Sequence, residues 1–280
     1  MINTLFALVC ALFSSMQSVF TKTGAKKCPN SKSMSFNAFK TGTAFLVFLI
    51  FCLIRGVTLH IPSAIYAAIY ALFLVTSTFC GYMALAIGSM ALSSLIASYS
   101  VVIPVIYGFT VLGEELYPIR LIGLALLLIS LFIFTKRDDN KNTGKLWALF
   151  IGITFLCNGF ASVVQKEHQM AFPGKYIIEF TLVSFGLIFL VFALVALAKK
   201  ETPDRPSLKY AFPAGIAMGL MNFITLALSA HMDASVLFPL VTIFSSIFNL
   251  TASVVLFKEK FTPLKLVGIA LGIVSVILIK

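Results

Sequence analysis

The chain is a near-continuous series of apolar runs joined by short polar connections, and that pattern leaves few solvents in which it can fold. Crossing a hydrocarbon core takes about 20 residues of helix. Ten runs have roughly this length, at residues 2–21, 35–54, 64–87, 91–112, 119–135, 145–164, 176–198, 208–230, 234–257 and 262–279. Hydrophobic residues make up 60% of the 280 and charged residues only 11%. A soluble domain averages about 25% charged, so these charges are too few to cover a water-exposed surface. The expectation is an all-α, multi-pass integral membrane protein of ten transmembrane helices, set in the lipid bilayer of the cell membrane. The first run has no basic segment before it and no small-residue cleavage pattern after it, so it reads as helix 1 rather than a removed signal.

An internal repeat organises the ten runs. At a shift of 145 residues Glu114 falls on Glu259, Pro118 on Pro263, Leu121 on Leu266, Gly123 on Gly268 and Ser130 on Ser275. At 144, Phe45-Leu46-Val47-Phe48 falls on Phe189-Leu190-Val191-Phe192, and Ser18, Val19 and Lys22 fall on Ser162, Val163 and Lys166. At 143, Ala84, Leu85 and Ala91 fall on Ala227, Leu228 and Ala234. The halves are residues 1–138 and 139–280. Five helices per half is an odd number, so the second half enters the membrane from the opposite side. The expected fold is therefore two inverted five-helix repeats related by a pseudo-two-fold axis in the membrane plane, an architecture suited to alternating access.

Charge and motifs exclude several classes. Lys and Arg number 21 against 10 Asp and Glu, but the bases lie between apolar runs, where they orient a membrane chain and meet anionic headgroups. Nucleic acid is not an expected partner. Cys10, Cys28, Cys52, Cys80 and Cys157 form no CxxC pair and read as small packing residues. There is no GxxxxGK[ST] phosphate loop and no HExxH, and His60, His168 and His231 lie near run ends. No catalytic residue, metal site or cofactor is expected, and the chain is not read as an enzyme; a membrane enzyme would need convergent His, Asp or Cys at one depth.

The pattern Pro104…Gly113-Glu114-Glu115-Leu116…Gly123, with its echo at Glu259…Pro263…Gly268, resembles the drug/metabolite transporter superfamily, most of all its EamA-like ten-helix branch. That branch carries a Pro in helix 4, a Gly-Glu turn before helix 5, a Gly in helix 5 and a basic residue near the start of helix 2, where this chain has Lys40. The second half departs from the pattern: Lys258 stands opposite Gly113 and Asn249 opposite Pro104, with Pro239 ten residues earlier. The resemblance implies a secondary active transporter of small organic metabolites or drugs, exporters included, with helices 1, 3, 4, 6, 8 and 9 lining a central cavity. A channel-like permease for ions or small solutes is the alternative; it calls for a continuous polar stripe along one helix face.

Mid-helix polar residues are the substrate-cavity candidates, because in lipid such groups turn to the bundle interior. They are Ser14 and Gln17 in helix 1, Thr78 and Tyr82 in helix 3, Ser98 and Tyr99 in helix 4, Asn158 and Ser162 in helix 6, Asn222 and Thr225 in helix 8, and Ser245 and Asn249 in helix 9. Lys40 and Glu179 lie inside helices 2 and 7, where charge is costly, and are the gating or coupling candidates. Lys22 and Lys166 read as caps of helices 1 and 6, Glu114 and Glu259 as caps of helices 5 and 10, and Trp147 as an interface anchor. The small-xxx-small patterns Gly215–Gly219 and Gly268–Gly272 allow close helix approach, within a monomer or across a homodimer. The positive-inside rule places both termini outside, whereas the family resemblance places them inside.

Overall fold

The structure, a computed structural model, describes residues 2–27, 33–56, 59–87, 97–115, 117–135, 144–202, 205–257 and 263–279. Cys28, Lys258 and Glu259, and the bases within 136–143, lie outside the described residues, as do the side chains of Lys22 and Tyr82. Among the described residues every regular element is helical. In chain order these are α1 (Ile2–Lys27), α2 (Ser33–Arg55), α3 (Ile61–Ile87), α4 (Val102–Thr110, entered by a 3-10 turn at Tyr99–Val101), α5 (Pro118–Thr135), α6 (Lys145–Ala171), α7 (Ile177–Ala198), α8 (Arg205–Ser229), α9 (Ala234–Phe257) and α10 (Pro263–Ile279).

Six of them, α1, α2, α3, α6, α7 and α8, are long and apolar enough to cross a membrane. A helix satisfies its own backbone, which lipid cannot do, so apolar runs of this length fold as helices. Their outer faces carry large apolar side chains such as Leu53, Ile54, Ile61 and Leu197, all about three-quarters exposed, which suits a lipid surround. The chain is a membrane protein with several apolar helices.

Two helices outrun the sequence expectation. α1 extends to Lys27 and α6 to Ala171, because Lys22 and Lys166 do not end them. α8 and α9 continue through Pro213 and Pro239. After α4, Gly113 takes φ +66°, a left-handed turn that a Cβ disfavours. It lets Glu114 N–H bond the Gly108 carbonyl at 3.0 Å.

The chain forms two compact units, each drawing on both sequence halves. The first comprises residues 1–75 and 164–231. In it α1 packs along α8, and α2 packs on both α7 and α8. Small side chains set these distances: Ala7, Cys10 and Ala11 of α1 and Ala211, Ala214 and Ala217 of α8 are all buried. Gly215 meets the Lys40 carbonyl, and Gly219 meets Ala44 and Phe48, so this small-xxx-small face packs on α2 of the same chain.

The second unit comprises residues 76–163 and 232–280. There α5 packs along α10 and α4 on α9. Ser130 Oγ donates to the Gly268 carbonyl at 2.8 Å, and Gly272 abuts Ile243. Trp147 is not an exposed anchor. It is 7% exposed, clustered with Ala84 and Ile151, whose modest size leaves room for the indole.

Candidate functional site

Within the first unit the polar side chains gather where α3, α6 and α8 meet. α8 presents Asn222, Thr225 and Ser229 at helical spacing, which sets them on one face. The Tyr70 hydroxyl of α3 donates to Asn222 Oδ1. Gln165 Nε2 of α6 lies 3.3 Å from both Tyr70 Oη and Asn222 Oδ1. Asn222 Nδ2 donates to the Met218 carbonyl at 2.9 Å. All three side chains are buried. Each of these three side chains therefore has a partner, as an apolar interior demands.

The network extends along the same helices. Thr225 Oγ1 donates to the Met221 carbonyl at 2.9 Å. That leaves its lone pairs for the Cys10 thiol of α1, 3.0 Å away. Lys166 Nζ donates to the Ser229 carbonyl at 3.1 Å. This ammonium thus caps the C-terminal end of α8 rather than of its own helix, where it meets the negative end of the α8 dipole.

A second cluster follows on α6. Gly174 N–H can only donate, and it meets Gln169 Oε1 at 2.9 Å. Gln169 Nε2 must then face His168 Nδ1, at 2.9 Å. The imidazole accepts there, so its proton sits on Nε2 and points to Ser63 Oγ of α3, 2.8 Å away. The His168 ring packs against Tyr66, Phe172 and Phe180, and His60 stacks on Tyr176 at 4.2 Å. This fixes a neutral tautomer in an aromatic setting, an arrangement that orients hydrogen bonds and offers no activated nucleophile.

The sequence-derived candidates fall into both units. In the first, Asn222 and Thr225 belong to the network, and Ser14 and Gln17 are half-buried on α1, with the Ser14 carbonyl taken by Ser18 Oγ at 3.0 Å. Lys40 is buried, whereas Glu179 is half-buried in the first turn of α7. In the second unit, Asn158 Oδ1 accepts from Ser77 Oγ at 2.6 Å, and Ser162 Oγ donates to the Asn158 carbonyl. Thr78, beside Ser77, is half-buried, as are Ser98 and Asn249. Tyr99 Oη donates to the Leu128 carbonyl at 3.0 Å, and Ser245 Oγ to that of Thr242 at 2.9 Å.

Glu114 caps a different helix from the one expected. Its carboxylate accepts from Ala234 N at 2.6 Å, Ser235 N at 2.9 Å and Ser235 Oγ at 2.5 Å, closing the N-terminus of α9 rather than α5. α5 begins with Pro118, which has no N–H to cap. An apolar groove between α4 and α5, lined by Val101, Val105, Phe109, Leu124 and Leu128 among others, carries no orienting polar group. No cluster of metal-binding side chains occurs among the described residues.

Sequence reasoning missed Tyr70, Gln165, Ser63, His168 and Gln169. The expected helix 6 ends at 164 and the expected helix 3 begins at 64, so Gln165, His168, Gln169 and Ser63 fall outside the expected helices. A signal was present: Ser63, Tyr70 and Ser77 lie seven apart, as do Asn158 and Gln165, a spacing that keeps polar groups on one helix face.

Comparison with known proteins places this geometry. No curated protein sequence matches the chain. A solved structure titled only "Crystal structure of protein" superimposes with a TM-score of 0.76, covering 99% of this chain and 97% of its own at 17% identity, a likeness of fold. The sequence model of the EamA-like transporter family matches residues 1–136. That stretch contains Lys40, Tyr70, Pro104 and the Gly113-Glu114 turn, and over it the chain is similar to the EamA-like transporter family, which is part of the drug/metabolite transporter superfamily.

Proposed function

We propose that the protein is a secondary active transporter that moves small organic metabolites across the cell membrane by alternating access. The family of residues 1–136 is one of membrane transporters. The observation that carries the reading is the buried Tyr70–Gln165–Asn222 network, held by three helices each long enough to span a bilayer. Hydrogen-bonding groups inside a membrane are retained where they meet one another or a solute. Ser14, Gln17 and Thr225, which belong to the same unit, extend this lining in the proposed cavity.

Two inverted halves suit alternating access, and contacts within the first unit support that relation. Gly42 and Gly186 are equivalent at the shift of 144, as are Phe45 and Phe189. A Cβ on Gly42 would meet the Phe189 ring at 2.9 Å, and one on Gly186 the Phe45 ring at 3.0 Å. The two Phe rings stack, with centroids 6.3 Å apart and planes 10° from parallel. Such a reciprocal contact, i to j and j to i, is what a two-fold axis between α2 and α7 produces. The same shift pairs buried Phe36, Thr41, Ala44 and Phe48 with buried Phe180, Phe185, Ile188 and Phe192.

The test is reconstitution of the full chain in proteoliposomes, with uptake and efflux of a labelled metabolite panel. Saturable flux that rises with an imposed solute or proton gradient supports the reading. Large single-channel currents would assign the protein to the permease class instead.

A further inference from the structure

Two contacts in the first unit join the sequence halves at opposite ends of α2 and α7. These helices are antiparallel, since Gly42 meets Phe189 and Gly186 meets Phe45. α2 is 23 residues long, about 35 Å at the rise of a helix. That sets its ends on opposite faces of a bilayer whose hydrocarbon core is about 30 Å thick.

Where α2 begins, α7 finishes in a left-handed turn. Lys200 takes φ +52°, and Glu201 N–H bonds the Ala196 carbonyl at 2.9 Å. Helix ends of this kind favour glycine, and the residue 144 positions earlier, at the end of α2, is Gly56 at φ +63°. The turn fixes Glu201, whose carboxylate accepts from Ser35 N–H in the first turn of α2 at 2.9 Å. Open N–H groups at a helix start favour a carboxylate.

At the opposite end, His60 and Tyr176 stand just before α3 and α7, and their carbonyls accept from Ala64 N–H and Phe180 N–H at the start of those helices. Their rings stack at 4.2 Å with planes 4° apart, and the Phe172 ring meets both at close to a right angle. Tyr176 is a poor cap: its side chain makes no capping bond, and its backbone is left-handed at φ +55°, ψ +23°. A tyrosine held there is strained, and the stack is what its ring gains. His60 Nδ1 is buried without a hydrogen-bond partner, so the imidazole acts through its face.

We propose that these contacts are two latches, one for each face of the membrane. Release of His60 from Tyr176 opens the first unit at one face, and release of Glu201 from Ser35 opens it at the other. This rests on the transport reading above. Each latch ties a residue of 1–138 to one of 139–280, as a contact that breaks when two repeats rock apart must. The chemistries differ, ring stacking at one end and a carboxylate on a helix start at the other, so one can loosen while the other holds. Strain loads the first latch, because unstacking lets Tyr176 leave the left-handed region.

Cys10 supplies the reporter. It is buried in the same unit, with its thiol 3.0 Å from Thr225 Oγ1. In the full chain with Cys28, Cys52, Cys80 and Cys157 replaced by serine, a membrane-impermeant maleimide is applied to right-side-out and to inverted vesicles. Expected is slow labelling of this parent from either face. H60A raises the rate about threefold to tenfold from one face only, and E201A does so from the opposite face only. H60F keeps a ring to stack and stays near the parent. That rescue, the confinement of labelling to one face and a monodisperse elution profile separate a released latch from misfolding. Parent rates in both alanine variants, a rise from the same face in both, or a rise from both faces in either overturns the latches and leaves transport standing. The expected labelling with no flux of any metabolite removes the transport reading and keeps the latches.

Discussion

Replacing Gly215 by Ala tests the packing of α2 on α8. A Cβ there would stand 2.2 Å from the Lys40 carbonyl oxygen, 2.8 Å from Thr43 Cβ and 3.1 Å from the Lys40 carbonyl carbon. Ordinary contact begins near 3.4 Å, so the closest pair must open by 3.4 − 2.2 = 1.2 Å. Two of the three obstacles are backbone atoms, which no rotamer change can move, so the helices themselves must part. A gap of about 0.5–1 Å already forfeits a quarter to a half of each dispersion contact, and overpacking of this kind costs about 1–3 kcal/mol. Gly219 is the internal control. Its Cβ would meet the far edge of the Phe48 ring at 3.0 Å and Ala44 Cβ at 3.4 Å, which a small ring shift relieves. Gly to Ala within a helix gains up to about 1 kcal/mol from propensity, enough to cancel the strain at Gly219 and not at Gly215. The assay is thermal unfolding of the detergent-purified chain followed by size-exclusion fluorescence. At about 2–4 °C per kcal/mol, G215A should fall on the order of 5 °C and G219A should stay within about 2 °C. G215A melting with wild type, or G219A falling further than G215A, refutes the argument.

Glu114→Ala removes the acceptor of three donors at the start of α9; a cap of this kind is worth about 0.5–2 kcal/mol, read as a lower melting temperature that Glu114→Asp does not fully restore. Gln165→Leu and Asn222→Ala break the buried network, whose bonds are worth about 1–2 kcal/mol each in model membranes; flux per folded protein should fall about five- to thirty-fold, and wild-type flux in both would remove the network from the transport path. G42A and G186A press on Phe189 and Phe45 at nearly equal distances, so their melting shifts should agree within about 1 kcal/mol; a large loss in one with none in the other contradicts the two-fold relation. Ser77→Ala leaves Asn158 Oδ1 without its donor and should cost about 1 kcal/mol in the same unfolding assay.

Membrane residence was legible because it depends on run length and composition, which need no tertiary contact. So were the helices containing Asn222 and Thr225. What could not be read was which neighbour each polar group faces. Lys166 looked like the end of helix 6 because a charge closes an apolar run, yet its ammonium reaches the Ser229 carbonyl 63 positions later, and the helix continues beneath it. That one misreading hid Gln165, His168 and Gln169. Glu114 was recognised as a cap from its place beside a helix start, but the N-terminus it closes is more than a hundred residues away. Trp147 carries the same lesson: its ring type fits a membrane interface, and its packing with Ala84 and Ile151 buries it within the protein.

The exchange of Gly42 with Phe189 and Gly186 with Phe45 is the kind of contact two identical subunits would make. In such a dimer each inherited change is made twice, so a lysine at position 40 would bring two buried ammoniums to the same interface, and serine would bring none. On the proposed two-fold relation, halves joined in a single chain mutate separately. Position 40 keeps lysine while its counterpart at 184 holds serine, so the contact surface stays matched while the charge is single. A chain built this way can acquire a preference for one sign of solute without doubling the electrostatic penalty of carrying it.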